Sequence, residues 1–384
     1  MPKTPPNEVK DFAAPTLAEL KKLIELYKIN AISIDTTTFD DSGMDYDKGI
    51  FSQLRQFKVH PQQLIISEVV LNEIDRHYRK RIAKTHSRFS LGNICSLLGA
   101  TPESVSIIEA ELSKLPSVEE ICDRRLEEFL SEANATVLKS DDYIKVSDVT
   151  SMYFRNLPPF HAENSKKSEF PDAIALATLE KWAEANRTGV IVVSRDGDWQ
   201  AYCEKSKRLY IVNSLEDALS IFQPRAEIVE TMSIRLAAHL RNSGSFITSL
   251  VDECINEHEW SDNITVIAQS SYEFDQEIYC RVLSSTLVEA GDNTIKIVSA
   301  DERVVSFAFK VDVNALMILD CDFKRWVEPD QDYEFIGHGE WVQDFPTVVS
   351  VLLTVPVSQG EFYDIKIQIQ PSSIRINFGD IGPD

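Results

Sequence analysis

The 384 residues contain no uninterrupted apolar run approaching the roughly 20 residues that a membrane helix needs, which predicts a chain without a membrane span. The start, MPKTPPNEVKDF, lacks the apolar stretch of a signal peptide. Six cysteines (Cys95, Cys122, Cys203, Cys254, Cys280, Cys321) include no CxxC pair. Together these absences predict reduced thiols and a cytoplasmic location. The seven histidines fall in no HExxH or comparable zinc spacing, and neither a GxSxG elbow nor a Walker-type glycine loop is present. Zinc-hydrolase, serine-hydrolase and P-loop chemistries are thereby left without their defining motifs. There is no internal repeat and no long low-complexity segment.

What is present is ordinary globular composition: 43% hydrophobic and 26% charged residues, enough apolar material for a core in each half. The length predicts two domains. The formal charge of −22 is unevenly spread. Residues 1–222 hold 28 Lys and Arg against 34 Asp and Glu, while residues 223–384 hold 11 against 27. Such an acidic chain repels nucleic acid at long range, so contact with it requires a local basic patch, expected on the first half.

Thr16-Leu-Ala-Glu19 reads as a capping box that starts a helix continued by Leu20, Leu23, Ile24 and Tyr27. The run Ala31–Ile34 predicts a first strand ending at Asp35. Leu64–Ile66 predicts a second, leading into a helix over about 67–88. Two helical segments are expected from Thr101-Pro102 and Pro116-Ser117, as an all-helical insertion. After a loop over 156–168 a helix spans 169–185, with Asp172 in its first turn. Gly189–Val193 is a continuous β-branched run, the mark of a buried central strand, with Asp196 and Asp198 just beyond it. Leu209–Val212 predicts another strand and Ser214–Phe222 a closing helix. Strands alternating with helices predict an α/β domain, with active groups gathered beyond the strands' carboxyl ends. From about Gln223 the pattern changes. Residues 226–257 read as helical, and short strand-like runs from Ile264 onward predict an antiparallel sheet with one solvated face.

Four acids stand out: Asp35 and Asp196 just after strands, Asp172 in the first turn of a helix, and Glu73 within a helix. Taken singly, Asp35 and Asp172 suit a turn or a helix cap as well as a ligand site, and Asp196-Gly-Asp198 suits a plain turn. Their segments, AISIDTTTF, SEVVLNEIDRH, SEFPDAIALATL and VIVVSRDGDW, resemble the four ordered motifs of PIN-domain nucleases over about residues 30–222. The resemblance implies a three-layer parallel-sheet PIN-like domain with a helical insertion over 1–222, followed by a β-rich α+β accessory domain over 223–384. It implies that Asp35, Glu73, Asp172 and Asp196 hold Mg2+ or Mn2+, with Asp198 in support and with Thr36 and Ser194 orienting carboxylates. Clustered carboxylates gain from binding divalent ions, which activate water and stabilise a departing oxygen. Glu73 is preferred to Glu68 and Asp75 because it sits within VVLNEI, whereas Glu68 reads as a dipole-complementing acid at the helix start.

The expected function is therefore a metal-dependent endoribonuclease acting on single-stranded RNA, with RNA ranked above DNA by the resemblance. Arg76, Arg79, Lys80, Arg81 and Lys84 form a basic run beside the second acid that suits a phosphate backbone, although a solvated helix face is the plain reading of such a run. His77 or Tyr78 is a candidate for stacking on an unpaired base. The phrase KKSEFPDAIAL resembles a larger PIN-like subfamily, which implies a phosphate contact from Lys166 or Lys167. Two alternatives stand beside this: a catalytically silent PIN-like module that binds RNA or protein, and a Toprim-like phosphoryl-transfer domain using Asp196-Gly-Asp198. The acidic second half is expected to bind a regulatory protein or a second copy, or to restrain a toxin-like or defence nuclease.

Overall fold

The computed structural model describes residues 15–383 apart from 89–106, 108–109, 111–113, 115, 161–168, 224–225, 261–263, 290–293, 328–331, 358–361 and 371–373. Five strands, β1 (Ile29–Ile34), β2 (Gln63–Ser67), β3 (Thr136–Leu138), β4 (Gly189–Val193) and β5 (Leu209–Val212), form one sheet in the order β3-β2-β1-β4-β5. All four pairings are parallel. The chain builds outward from β1 through β2 to β3, then crosses back to lay β4 and β5 on the other side. The order therefore reverses between β1 and β4, and the carboxyl ends of these two strands border a crevice of the kind where open α/β sheets bind ligands. Every residue of β4 is buried, as its unbroken β-branched run predicts for a strand covered on both faces.

The expected helices around this sheet are present. Leu17–Glu25 starts with the predicted capping box, Thr16 Oγ1 accepting from the Glu19 amide at 3.3 Å while Glu19 Oε2 accepts from the Thr16 amide at 2.8 Å. Glu68–Arg88 follows β2 without a loop. Val118–Glu132 begins with a second reciprocal box between Ser117 and Glu120. Phe170–Ala185 has Pro171 in its first turn, and Leu215–Phe222 is capped by Ser214. The helix expected from residue 102 lies largely outside the described residues. Six of the described elements were not expected from the sequence: helix Thr36–Asp41, the 3-10 stretches Ile50–Lys58 and Ser140–Asp142, strand β3, and helices Val146–Phe154 and Gly197–Cys203.

Beyond residue 226, helices Glu227–Leu240 and Phe246–Glu257 precede the strands. Strands β6 (Ile264–Gln269), β7 (Glu273–Leu287), β8 (Ile295–Ala300), β9 (Val304–Val327), β10 (Asp332–Pro356), β11 (Lys366–Gln370) and β12 (Ile374–Asp380) make two sheets. The larger is antiparallel, in the order β11-β10-β9-β7, with β8 also on β9. The smaller pairs β12 with β6 in parallel. Along β9 the residues Val311, Val313, Ala315, Met317, Leu319, Cys321 and Phe323 point into the core and the residues between them point outward, the two-residue period expected of a sheet with one wet face. At 24 and 25 residues, β9 and β10 far exceed the usual strand of about 5–6 residues.

The antiparallel sheet packs against the parallel one through helix Leu215–Phe222 and the 3-10 stretch Ile50–Lys58, which lie between them. Val298, Ala308 and Leu352 join the hydrophobic cluster built on β1, β2 and β4. Gln370 Oε1 accepts from the Ile50 amide at 2.9 Å, and the Val298 carbonyl accepts from the side-chain amides of Gln56 at 3.0 Å and Gln223 at 3.1 Å. At Gly49, whose φ is +59°, the amide of Gln370 fills the space a side chain would need.

Candidate active site

Strand β1 ends at Asp35, whose amide donates to the Val193 carbonyl at 3.0 Å, so the first acid is pinned to the end of β4. Its carboxylate caps the short helix Thr36–Asp41: Oδ1 accepts from the Thr36 amide at 2.6 Å. Oδ2 accepts from Thr37 Oγ1 at 2.6 Å and from Ser194 Oγ at 2.8 Å. Asp35 is only 3% exposed, and burial raises its pKa even against these three donors. The cap and the cluster are one residue's work, because the turn that needs an Asp side chain sits where the strand order reverses.

The other acids converge from separate elements. Glu73 lies on Glu68–Arg88 and Oε2 accepts from Thr36 Oγ1 at 3.0 Å. Its neighbours face elsewhere, as the helical spacing requires: Asp75 pairs with Arg79 at 2.6 Å. Glu68 Oε1 accepts from the Ser140 amide at 2.7 Å, so Glu68 braces the turn after β3. Asp196 caps helix Gly197–Cys203, its Oδ1 accepting from the Asp198 amide at 2.6 Å while its own amide donates to Ser194 Oγ at 3.0 Å. Asp198 stands in the first turn of that helix. Asp172 sits in the first turn of Phe170–Ala185 and accepts at Oδ1 from the fully buried Trp199 indole at 2.7 Å.

Burial, with the added repulsion of Asp35, Asp196 and Glu73, pushes the Asp172 pKa up to about 7 although the Trp199 bond pulls the other way. That repulsion reaches Asp172 from all three remaining acids. Among the described residues the one ion pair to any of the four is Arg76 with Glu73, at 3.9 Å and with Arg76 72% exposed. No three Asp, Glu, His or Cys side chains among the described residues already close on a single point at ligand distance. Neighbouring carboxylates repel one another, and binding a divalent cation relieves that repulsion. The donor set is chemically suited to one: hard carboxylate oxygens, with Oδ2 of Asp172 and of Asp196 outside the bonds described above.

The basic run beside Glu73 divides. Arg76 and Lys80 are exposed, four residues apart on one face. Arg79 is engaged by Asp75 and Asp123, which raise its already high pKa. Arg81 is half-buried and has a partner of its own. Lys84 lies on the helix with its side chain outside those described, and Lys166 and Lys167 lie outside the described residues altogether. Tyr78 corrects the expectation of base stacking. It is 1% exposed, packed on Tyr46 and Phe39, and its hydroxyl accepts from Arg125 Nη1 at 2.6 Å. The period of the helix puts Tyr78 four residues after Ile74, on the buried face. His77 instead pairs with Asp40 at 3.0 Å. Two residues at the acids received no role from the sequence: Thr37, a second hydroxyl after Asp35, and Trp199, the last residue of VIVVSRDGDW.

A parallel five-stranded sheet with acids beyond the strands where its order reverses is an open α/β fold with a crevice suited to a ligand. Residues 32–199 match the family model of the PIN domain, and a further β-rich region follows the match. The match spans all four acids and favours the PIN reading over the Toprim-like one. PIN domains are usually nucleases that use divalent metals and bind nucleic acid. No curated protein and no solved structure matches the chain. Among the described residues no helix is long and apolar enough to cross a membrane.

Proposed function

We propose that the chain is a Mg2+- or Mn2+-dependent endoribonuclease acting on single-stranded RNA, with the nuclease part over 1–222 and an accessory part over 223–384. The observation that carries this reading is the convergence of Asp35, Glu73 and Asp196 on Asp172, with a single weak ion pair to the four among the described residues. In this reading Asp35, Glu73, Asp172 and Asp196 hold the cations, and Asp198 supports Asp196. Divalent ions there supply water activation and charge neutralisation at the phosphoryl group.

The protein's own contribution is to fix the carboxylates. Ser194 and Thr37 hold Asp35, Thr36 holds Glu73, and Trp199 holds Asp172. Such outer partners set the orientation and basicity of ligands. Arg76 and Lys80 offer exposed charge to a phosphate backbone. RNA is preferred to DNA on the strength of the family resemblance. The test compares wild type with Asp35→Asn and Asp172→Asn on single-stranded RNA and DNA, with Mn2+ or with EDTA. Cleavage of RNA that needs Mn2+ and both acids supports the reading. Equal cleavage by all three proteins, untouched by EDTA, refutes the site, and binding without cleavage by wild type points to a silent RNA-binding module.

A further inference from the structure

Two adjoining cavities, of about 190 and 430 Å³, run between the carboxyl-end loops of β4 and β5 and the antiparallel sheet, sharing Glu216, Lys310 and Ser350 in their walls. The first lies at the strand ends that lead into Asp35 and Asp196, though none of the four acids lines it. Thr38 and Val193 line it, Thr38 Oγ1 donating to the Val193 carbonyl at 2.8 Å, and so does Arg195, which stands between Ser194 and Asp196 in sequence. Its far wall belongs to the antiparallel sheet: Lys310 on β9, Ser350 on β10 and Gln370 on β11.

The charges in this crevice are unevenly matched. Arg195 pairs with Asp41 at 3.2 Å and Lys296 with Asp217 at 2.8 Å. Glu216 lies in the first turn of Leu215–Phe222, where the helix dipole offsets its charge. Lys310 is exposed and makes no ion pair among the described residues. Gln370, 6% exposed, accepts from Ile50 with Oε1, which fixes its orientation and leaves the donor Nε2 buried without a partner. A buried amide donor without an acceptor is costly, so a lining that keeps one is suited to an incoming acceptor.

Strand order gives the crevice a direction. Arg76 and Lys80 follow β2 on one side of the acids, while Arg195 and Lys310 stand on the β5 side, with Asp35 and Asp196 between them at β1 and β4. A single strand laid across the sheet's carboxyl edge would pass Lys80, then the acids, then Lys310. We infer that the crevice seats a nucleotide of the RNA strand flanking the cleaved bond, with its phosphate at Lys310, so that the antiparallel sheet forms one wall of the substrate channel. This rests on the nuclease reading and extends it to residues outside the PIN match.

The test measures binding, so that it does not depend on turnover. A short fluorescein-labelled single-stranded RNA is titrated by anisotropy with Asp172→Asn, and with Asp172→Asn carrying Lys310→Glu or, as a control of equal charge change, Lys58→Glu. Lys310→Glu is expected to weaken binding about tenfold and to flatten its salt dependence, with Lys58→Glu matching the parent. RNA containing 4-thiouridine should also crosslink to peptides that include Lys310 or Ser350. Equal affinities for all three proteins, with no crosslink to the antiparallel sheet, overturn the inference while leaving the nuclease reading intact. RNA binding by none of the proteins, with wild type also inert toward RNA, would bring down both. Protection of Lys310 from acetylation by free nucleoside monophosphate but not by the RNA would overturn the channel in favour of a small-molecule site.

Discussion

The two sheets carry their acids in opposite ways. At the carboxyl edge of the parallel sheet, Asp35 and Asp172 are withdrawn from water and face other acids. On the wet face of the antiparallel sheet, Asp320 and Asp322 flank the half-exposed His338, at 3.0 and 3.1 Å. Water screens the second set, so the fold tolerates it at small cost. Among the described residues the first set has hydrogen-bond donors but no cationic partner, and a protein retains such an arrangement where a cation or a reaction compensates it.

That contrast breaks most visibly by substitution. Asp35→Asn and Asp172→Asn should each abolish detectable RNA cleavage, whereas Asp320→Asn should leave it unchanged, as measured by initial rates with Mn2+. Ser194→Ala should lower activity or Mn2+ affinity by about 10–100-fold through its loss as an outer partner of Asp35.

The pH dependence of stability sharpens the same contrast. Asp172 titrates near 7 in the fold against an ordinary 3.8, so the folded state binds more protons between those values and this residue's contribution falls as pH rises through the interval. Thermal melts without metal should therefore drop from pH 4 toward pH 7, less so for Asp172→Asn, and Mn2+ should raise the melting temperature more at pH 8 than at pH 5. His338, with a pKa raised by Asp322 and Asp320, favours the fold below its unfolded value and loses that contribution as pH rises past its raised one. Because it is exposed, His338→Gln should barely alter the melts. The smallest effect expected on RNA is from Tyr78→Phe, which should cost about 1 kcal/mol of stability through the lost Arg125 bond and leave RNA affinity unchanged.

Much of the parallel sheet was legible because its strands are short, β-branched and followed at once by acids or capped helices. The run VIVV admits little but a buried strand, and Thr16 and Ser117 announce their helices by reciprocal caps. Strand β3 is only three residues, Thr136–Leu138, too short to carry a period and defined by its pairing with β2. The outer reach of β9 escaped notice because DCDFKRWV mixes charge with aromatics, and only β7 and β10 on either side reveal its alternation. At the site, the ordering of four acids was readable. The donors were less so: Trp199 meets Asp172 across a separation of 27 residues that no local pattern encodes. Tyr78 misled because a basic run hides which face of the helix its ring occupies.

The bond from Gln370 to Ile50 closes a loop of 320 residues. Contacts that distant form late, since their closure entropy must be met before they are rewarded. The parallel sheet can collapse around its local βα units while the stretch at Ile50 still waits for β11. A chain halted before residue 370 would therefore lack this bond and leave the far wall of the crevice incomplete.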